Sequence, residues 1–136
     1  MTVVEYHNLT IVRQTKGRIP PLPFVDVKEA ILGKGYELSL VFLDQVTSIS
    51  LHHSFKGKAD PVNVLSFPLE KNEGEILITL TKARTEAKHY GRSYHNHLLF
   101  LFIHGCLHLK GMDHGDKMEK YEQLFYKRFT KPDRIV

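Results

Sequence analysis

The fold class this sequence predicts is α+β: a small mixed four-stranded sheet covered by helices. Three observations lead there. Strand-like and helix-like segments do not alternate strictly, which separates this layout from a βαβ series. A length of 136 residues fits one domain over 1–136 and lets roughly two thirds of the unfolded surface be hidden on folding. The composition, 42% hydrophobic and 25% charged, is that of an ordinary globular chain.

The elements follow in order. "TVVEYH" (2–7) reads as a first strand. "IPPLPF" (19–24) is rigid and extended, because proline fixes its own φ and restricts the residue before it. "VDVKEAILGKG" (25–35) predicts a short helix stopped by glycine. "ELSLVFLD" (37–44) predicts a strand, alternating first and then apolar. In "DQVTSISLHHSFKG" (44–57), Asp44 can cap, and Val46, Ile49 and Phe55 could line one side of an expected helix. "VNVLSFP" (62–68) is a strand ended by proline, and "GEILITL" (74–80) is the fourth strand. "TKARTEAKHYG" (81–91) is rich in helix formers and stops at glycine. A helix from about Ser93 to Lys110 is apolar on nearly every side between Leu98 and Ile103, as a central buried helix should be. The last helix, "GDKMEKYEQLFYKRF" (115–129), carries Met118, Tyr121, Leu124 and Phe125 on one predicted face.

The single cysteine, Cys106, rules out an internal disulfide and favours a reducing compartment. The N-terminus "MTVVEYHNLT" has no export signal. The longest apolar run, Leu98–Ile103, is six residues, against the ~20 a bilayer span needs. The expected location is the cytoplasm, with no membrane partner. The net charge of +4 and a pI near 9.2 permit a polyanionic partner such as RNA without requiring one.

The chemistry is carried by "HGCLHLKGMDH", residues 104–114. His104 and His108 are four apart, so on a helix they lie on one face. Their ring nitrogens can then converge about 2 Å from a single ion. Gly111 tolerates a left-handed turn, which brings His114 back toward the same point. This is the metzincin spacing, H-E-x-x-H-x-x-G-x-x-H, and it predicts a zincin-like three-histidine site on the central helix. Where those peptidases place the glutamate general base, this chain has Gly105. The metal grip is kept and the protease base is absent.

Three protein ligands leave a fourth tetrahedral position for water, as in catalytic zinc sites. One zinc ion is therefore expected, with the bound water's pKa near ~7. Nickel and manganese share the ligand type. Neutral imidazoles leave the site cationic, suited to an anionic phosphodiester. Cys106 points to the other side of the helix and reads as packing. His97 shares the helical face of His104 and His108 and reads as a solvated or supporting histidine. Asp113 could orient a ligand, accept a proton or cap the turn.

At these residues a resemblance emerges. "HGCLHLKGMDH" resembles the signature of the YbeY-type endoribonucleases. "FKGKADPVNVLSFP", "EGEILITL" and "MEKYEQLF" resemble, in the right order, that family's second motif, third motif and closing helix, over about residues 55–125. The resemblance implies a single-domain bacterial protein with zinc on His104, His108 and His114. It places the basic residue implicated in activity at Lys56, where the family usually has arginine. Lysine is a point charge without a bidentate phosphate contact. Val62 stands for the usual threonine and Glu75 for the usual aspartate. Also implied are maturation of the small-subunit ribosomal RNA 3′ end, ribosome quality control, and association with ribosomal RNA, the small ribosomal subunit and assembly factors. No DNA partner is expected. Lys56, Lys58, Lys82, Arg84, Lys88 and Arg92 are compatible with RNA, though each also reads as an ordinary solvated side chain. Phe55, Phe67 and Tyr90 could stack on unpaired bases or sit in the core.

The leading expectation is a zinc-dependent, single-strand-specific endoribonuclease. Lys56 would steady charge on the phosphate, and Asp113 or Glu75 would serve as base. The alternatives are a non-enzymatic assembly factor stabilised by its metal, and a metallopeptidase, against which Gly105 counts.

Overall fold

The computed structural model describes residues 1–14, 17–43 and 63–132. The helix expected within 44–57, together with Phe55, Lys56, Lys58 and Val62, lies outside those residues.

Five strands form one mixed sheet, one more than expected. They are β1 (Thr2–Tyr6), β2 (Leu9–Arg13), β3 (Glu37–Leu43), β4 (Val64–Glu70) and β5 (Glu73–Thr79), arranged β1-β2-β3-β5-β4. The unforeseen strand is β2. Asn8, with φ of 59°, turns the chain after Tyr6; asparagine tolerates that left-handed backbone. Leu9 and Ile11 then point into the core at 1% exposure each. The β1–β2 and β4–β5 pairs are antiparallel, whereas β2–β3 and β3–β5 are parallel. Strand β4 continues through Pro68 to Glu70 instead of stopping at the proline. It is last in the sheet order, and at a sheet edge a missing N–H costs little.

Four helices are described: α1 (Phe24–Leu32), α2 (Leu80–His89), α3 (Tyr94–Leu109) and α4 (Asp116–Phe129). Helix α3 packs on α1, α2 and α4 and on strands β4 and β5, which makes it the central helix. Ser93 caps it by accepting from the Asn96 N–H at 3.1 Å. Its Leu98, Leu99, Phe102, Ile103 and Leu107 are buried against Leu40, Phe42, Ile76 and Ile78 of the sheet. Phe102 meets Phe24 of α1 edge-on at 5.1 Å. The apolar run that rules out one-sided amphipathicity is thus explained by contacts on several sides. Among the described residues, no helix is long and apolar enough to cross a membrane.

Helix α4 corrects the predicted face. Met118 is buried at 1%, and Tyr121 and Phe125 pack against the core. Leu124, however, is 54% exposed, while Glu122 is buried at 7%. The helical period explains this: positions 118, 122, 125 and 129 form one stripe, and 124 falls off its side.

Candidate metal centre

The site begins at the C-terminal end of α3. After Leu109 and the cap Lys110, Gly111 takes φ of 106°. The Met112 N–H reaches the Leu107 carbonyl at 3.1 Å, and the Gly111 N–H reaches the His108 carbonyl at 2.9 Å. This is the Schellman arrangement of helix ends. Met112 then packs on the core, and His114 swings back toward the helix. The three imidazole rings lie with centroids 4.6 Å apart (His104–His108), 4.6 Å (His108–His114) and 5.2 Å (His104–His114). One ring nitrogen from each falls within 4.8 Å of the others, so the group could hold a metal ion.

The ring orientations are set by their outer nitrogens. His108 Nδ1 lies 3.0 Å from the Met112 carbonyl oxygen, which can only accept, so Nδ1 carries the proton. His104 Nδ1 lies 2.6 Å from Glu122 Oε2 and donates to that carboxylate. With Nδ1 engaged outward on each ring, Nε2 of each points inward, and these two atoms stand 3.1 Å apart; as metal ligands both rings would be neutral with that nitrogen unprotonated. Two nitrogens held ~2.0–2.1 Å from one tetrahedral ion stand about 3.3 Å apart. The donor set and its spacing fit a divalent cation with a preference for imidazole. Burial, and then the neighbouring His104 and His114, push the His108 pKa below its ordinary value, which keeps a ligand lone pair free at neutral pH.

Carboxylate-to-histidine and carbonyl-to-histidine contacts are the usual supports of metal-binding imidazoles. Glu122, which supports His104 from α4, is a contact that sequence spacing does not reveal. The capping of the turn by Met112 was also unread, though Gly111 was a usable signal for it.

His104, His108 and His114 share a cleft of about 590 Å³ whose other wall is Asn63 and β4, at Val64, Leu65, Ser66 and Pro68. His114 is exposed and the other two are half-buried. Among the described residues no fourth histidine, cysteine, aspartate or glutamate joins the group. Gly105 explains the absent protease glutamate sterically. A Cβ there would meet Ile76 at 3.0 Å and Ser66 Oγ at 3.1 Å, and Ser66 Oγ donates to the Gly105 carbonyl at 3.2 Å. The helix lies flat on β4 and β5 where the glutamate would project.

The other candidates are placed as follows. Asp113 is exposed on the turn before His114. Glu75 pairs with Phe67 across β4–β5, while its neighbour Ile76 faces Gly105. Strand alternation therefore turns Glu75 to the opposite face of the sheet from the histidines, and burial raises its carboxyl pKa. Cys106 is fully buried, and burial pushes its thiol pKa up, so it is packing. His97 is not solvated: it is 1% exposed and bonded to Glu86 and Arg92.

The family model described as Endoribonuclease YbeY matches residues 23–129. A relative named Endoribonuclease YbeY from a Geobacillus species is 36% identical over 109 residues, 69% of this chain and 69% of the relative. Another of that name, from Alkaliphilus oremlandii, is 39% identical over 89 residues, 58% of this chain and 59% of the relative. The solution structure of a Thermotoga maritima protein superposes with a TM-score of 0.64 at 25% identity, covering 88% of this chain and 87% of the other. With a family match across helix α3, its histidines and helix α4, this chain belongs to the endoribonuclease YbeY family.

Proposed function

We propose that this chain, acting as one domain over 1–136, is a zinc-dependent endoribonuclease that cleaves single-stranded RNA during maturation of the small-subunit ribosomal RNA 3′ end. Its partners in that work are ribosomal RNA, the small ribosomal subunit and assembly factors in the cytoplasm. The observation that carries the reading is the convergence of the inward Nε2 atoms of His104 and His108, 3.1 Å apart, with His114 beside them, in a cleft open on one side. Family membership and the basic pI of 9.2 support RNA as the substrate.

His104, His108 and His114 would hold one Zn²⁺. When bound, zinc supplies Lewis acidity toward a water or a phosphoryl oxygen. The chain's own residues do the rest. Glu122 and the Met112 carbonyl fix the tautomers and aim the rings. Lys56 stabilises charge on the scissile phosphate as a single cation. Asp113, exposed beside His114, accepts a proton or orients the ligand behind it.

The test is cleavage of a ribosomal RNA precursor by the wild type and by His114→Ala, with and without chelator. Cleavage by the metal-loaded wild type alone is expected. Equal cleavage in every lane would assign the activity to a contaminating nuclease.

A further inference from the structure

Behind His104, away from His108, lies a second cavity of about 240 Å³. It shares Asn63, Val64 and His104 with the metal cleft, so the two adjoin. Its volume is below the ~300–1,000 Å³ of drug-sized pockets, which suits one flat heterocycle and not a longer segment.

Its walls are planar groups. Tyr90 stacks on His97 with centroids 5.5 Å apart and planes 17° from parallel. Phe100 stacks on His97 from a centroid distance of 6.1 Å at 6°. The Arg92 guanidinium lies 4.0 Å over Phe100 and 5.4 Å from Tyr90. Tyr90 itself is 62% exposed, which leaves ring surface open to a ligand.

Two carboxylates line the cavity, Glu86 and Glu122; Glu122 is held through Oε2 by His104 Nδ1 at 2.6 Å, and Glu86 sits among the planar groups. Arginine can only donate, so Arg92 Nη1 gives its hydrogen to His97 Nδ1 at 3.2 Å. His97 must then donate from Nε2 to Glu86 Oε1, also at 3.2 Å. Asn63 Nδ2 donates to Glu86 Oε1 at 3.1 Å and reaches Oε2 at 3.4 Å. Oε1 is thus engaged twice, while Oε2 has only that one long contact among the described residues. A carboxylate accepts about four hydrogen bonds. Among the described residues Glu86 therefore keeps acceptor capacity at Oε2 toward the cavity, and a carboxylate there rejects a carbonyl oxygen by like-charge repulsion.

We infer that this cavity is a base subsite: it takes an unpaired nucleobase bearing an exocyclic amino group, stacked at Tyr90 and donating that amino group to Glu86 Oε2. The inference rests on the endoribonuclease reading and names the nucleotide next to the scissile phosphate. His97 and His104 are seven residues apart on α3, or about 10 Å along its axis, a distance that one sugar and base can bridge from a phosphate at the histidines. Cytosine and uracil are the sharpest pair of probes. They share a ring size, but cytosine has the N4 amino donor where uracil has the O4 acceptor.

The test is an NMR titration of the full zinc-loaded chain with cytidine and uridine 5′-monophosphates. Both carry the same phosphate, so any difference reports on the base. Cytidine monophosphate should shift the amides of Glu86, Tyr90 and Phe100 and bind about tenfold more tightly than uridine monophosphate, the scale of a hydrogen bond to a charged group. Tyr90→Ala, at an exposed position, should weaken both by about tenfold. Glu86→Gln should bring the two affinities within about twofold. Equal wild-type affinities, or shifts confined to the histidine cleft, would overturn the subsite. Because binding is read without cleavage, an inactive chain that still selects cytidine would sink the nuclease reading and leave the subsite standing.

Discussion

At the level of single residues, the site depends on how each side chain is held. Glu122 illustrates this: its carboxylate fixes one ligand ring from α4, a contact 18 residues away in sequence. Removing such a support typically lowers metal affinity by about 10–100-fold. Glu122→Gln should therefore weaken zinc binding within that range, measured by competition with a chromophoric chelator, while the far-ultraviolet circular dichroism is unchanged. Titration gives a second prediction. Burial lowers the pKa of His97, and burial with two neighbouring imidazoles lowers that of His108, from the ordinary 6.5. The 3.2 Å contact between His97 and Glu86 has the length of an ion pair, but burial outweighs the carboxylate and the ring is neutral. For both groups the unfolded chain takes up protons first as pH falls. The stability they contribute is present above about pH 6.5 and is lost as pH drops below it toward the folded-state values. Urea midpoints of the metal-free chain at pH 7.5 and 5.5 should show this fall; in His97→Gln it should be smaller. The histidine cluster was legible because its three members lie within eleven residues of one another. Glu122 was not, because sequence spacing cannot say which helix will pack across which histidine.

Among the elements, α3 and the turn after it set the site. The limits of α3 were legible from Ser93, the apolar run and Gly111, and they agree to within one residue at each end. Strand β2 was missed because its signal is a five-residue alternation behind a single asparagine. The misassigned face of α4 came from choosing Leu124, by hydrophobicity, over Glu122, by angle. Two substitutions probe α3. Gly111→Ala forces a side chain into a backbone with φ of 106° and should cost about 1–2 kcal/mol by chemical denaturation. It should also weaken zinc binding, because the same turn carries Met112 and His114. Gly105→Glu, which would restore the peptidase pattern, places a carboxylate against Ile76 and Ser66. It should lower the thermal midpoint and yield no peptide cleavage, since burying an unpaired charge is costly.

At the scale of the whole molecule, a sheet of five strands backs one central helix whose C-terminal end opens into a cleft along β4. Metal binding at the three histidines would be linked to folding, because they converge only in the folded chain. Zinc at about 100 times its dissociation constant should add about 2.7 kcal/mol of stability. The most direct test of the central claim is zinc content per chain after exhaustive dialysis, for the wild type and for His104→Ala, His108→Ala and His114→Ala, each checked for folding. The account predicts one ion in the wild type and a large loss of zinc in every variant. Stoichiometric zinc retained by any folded variant would contradict it.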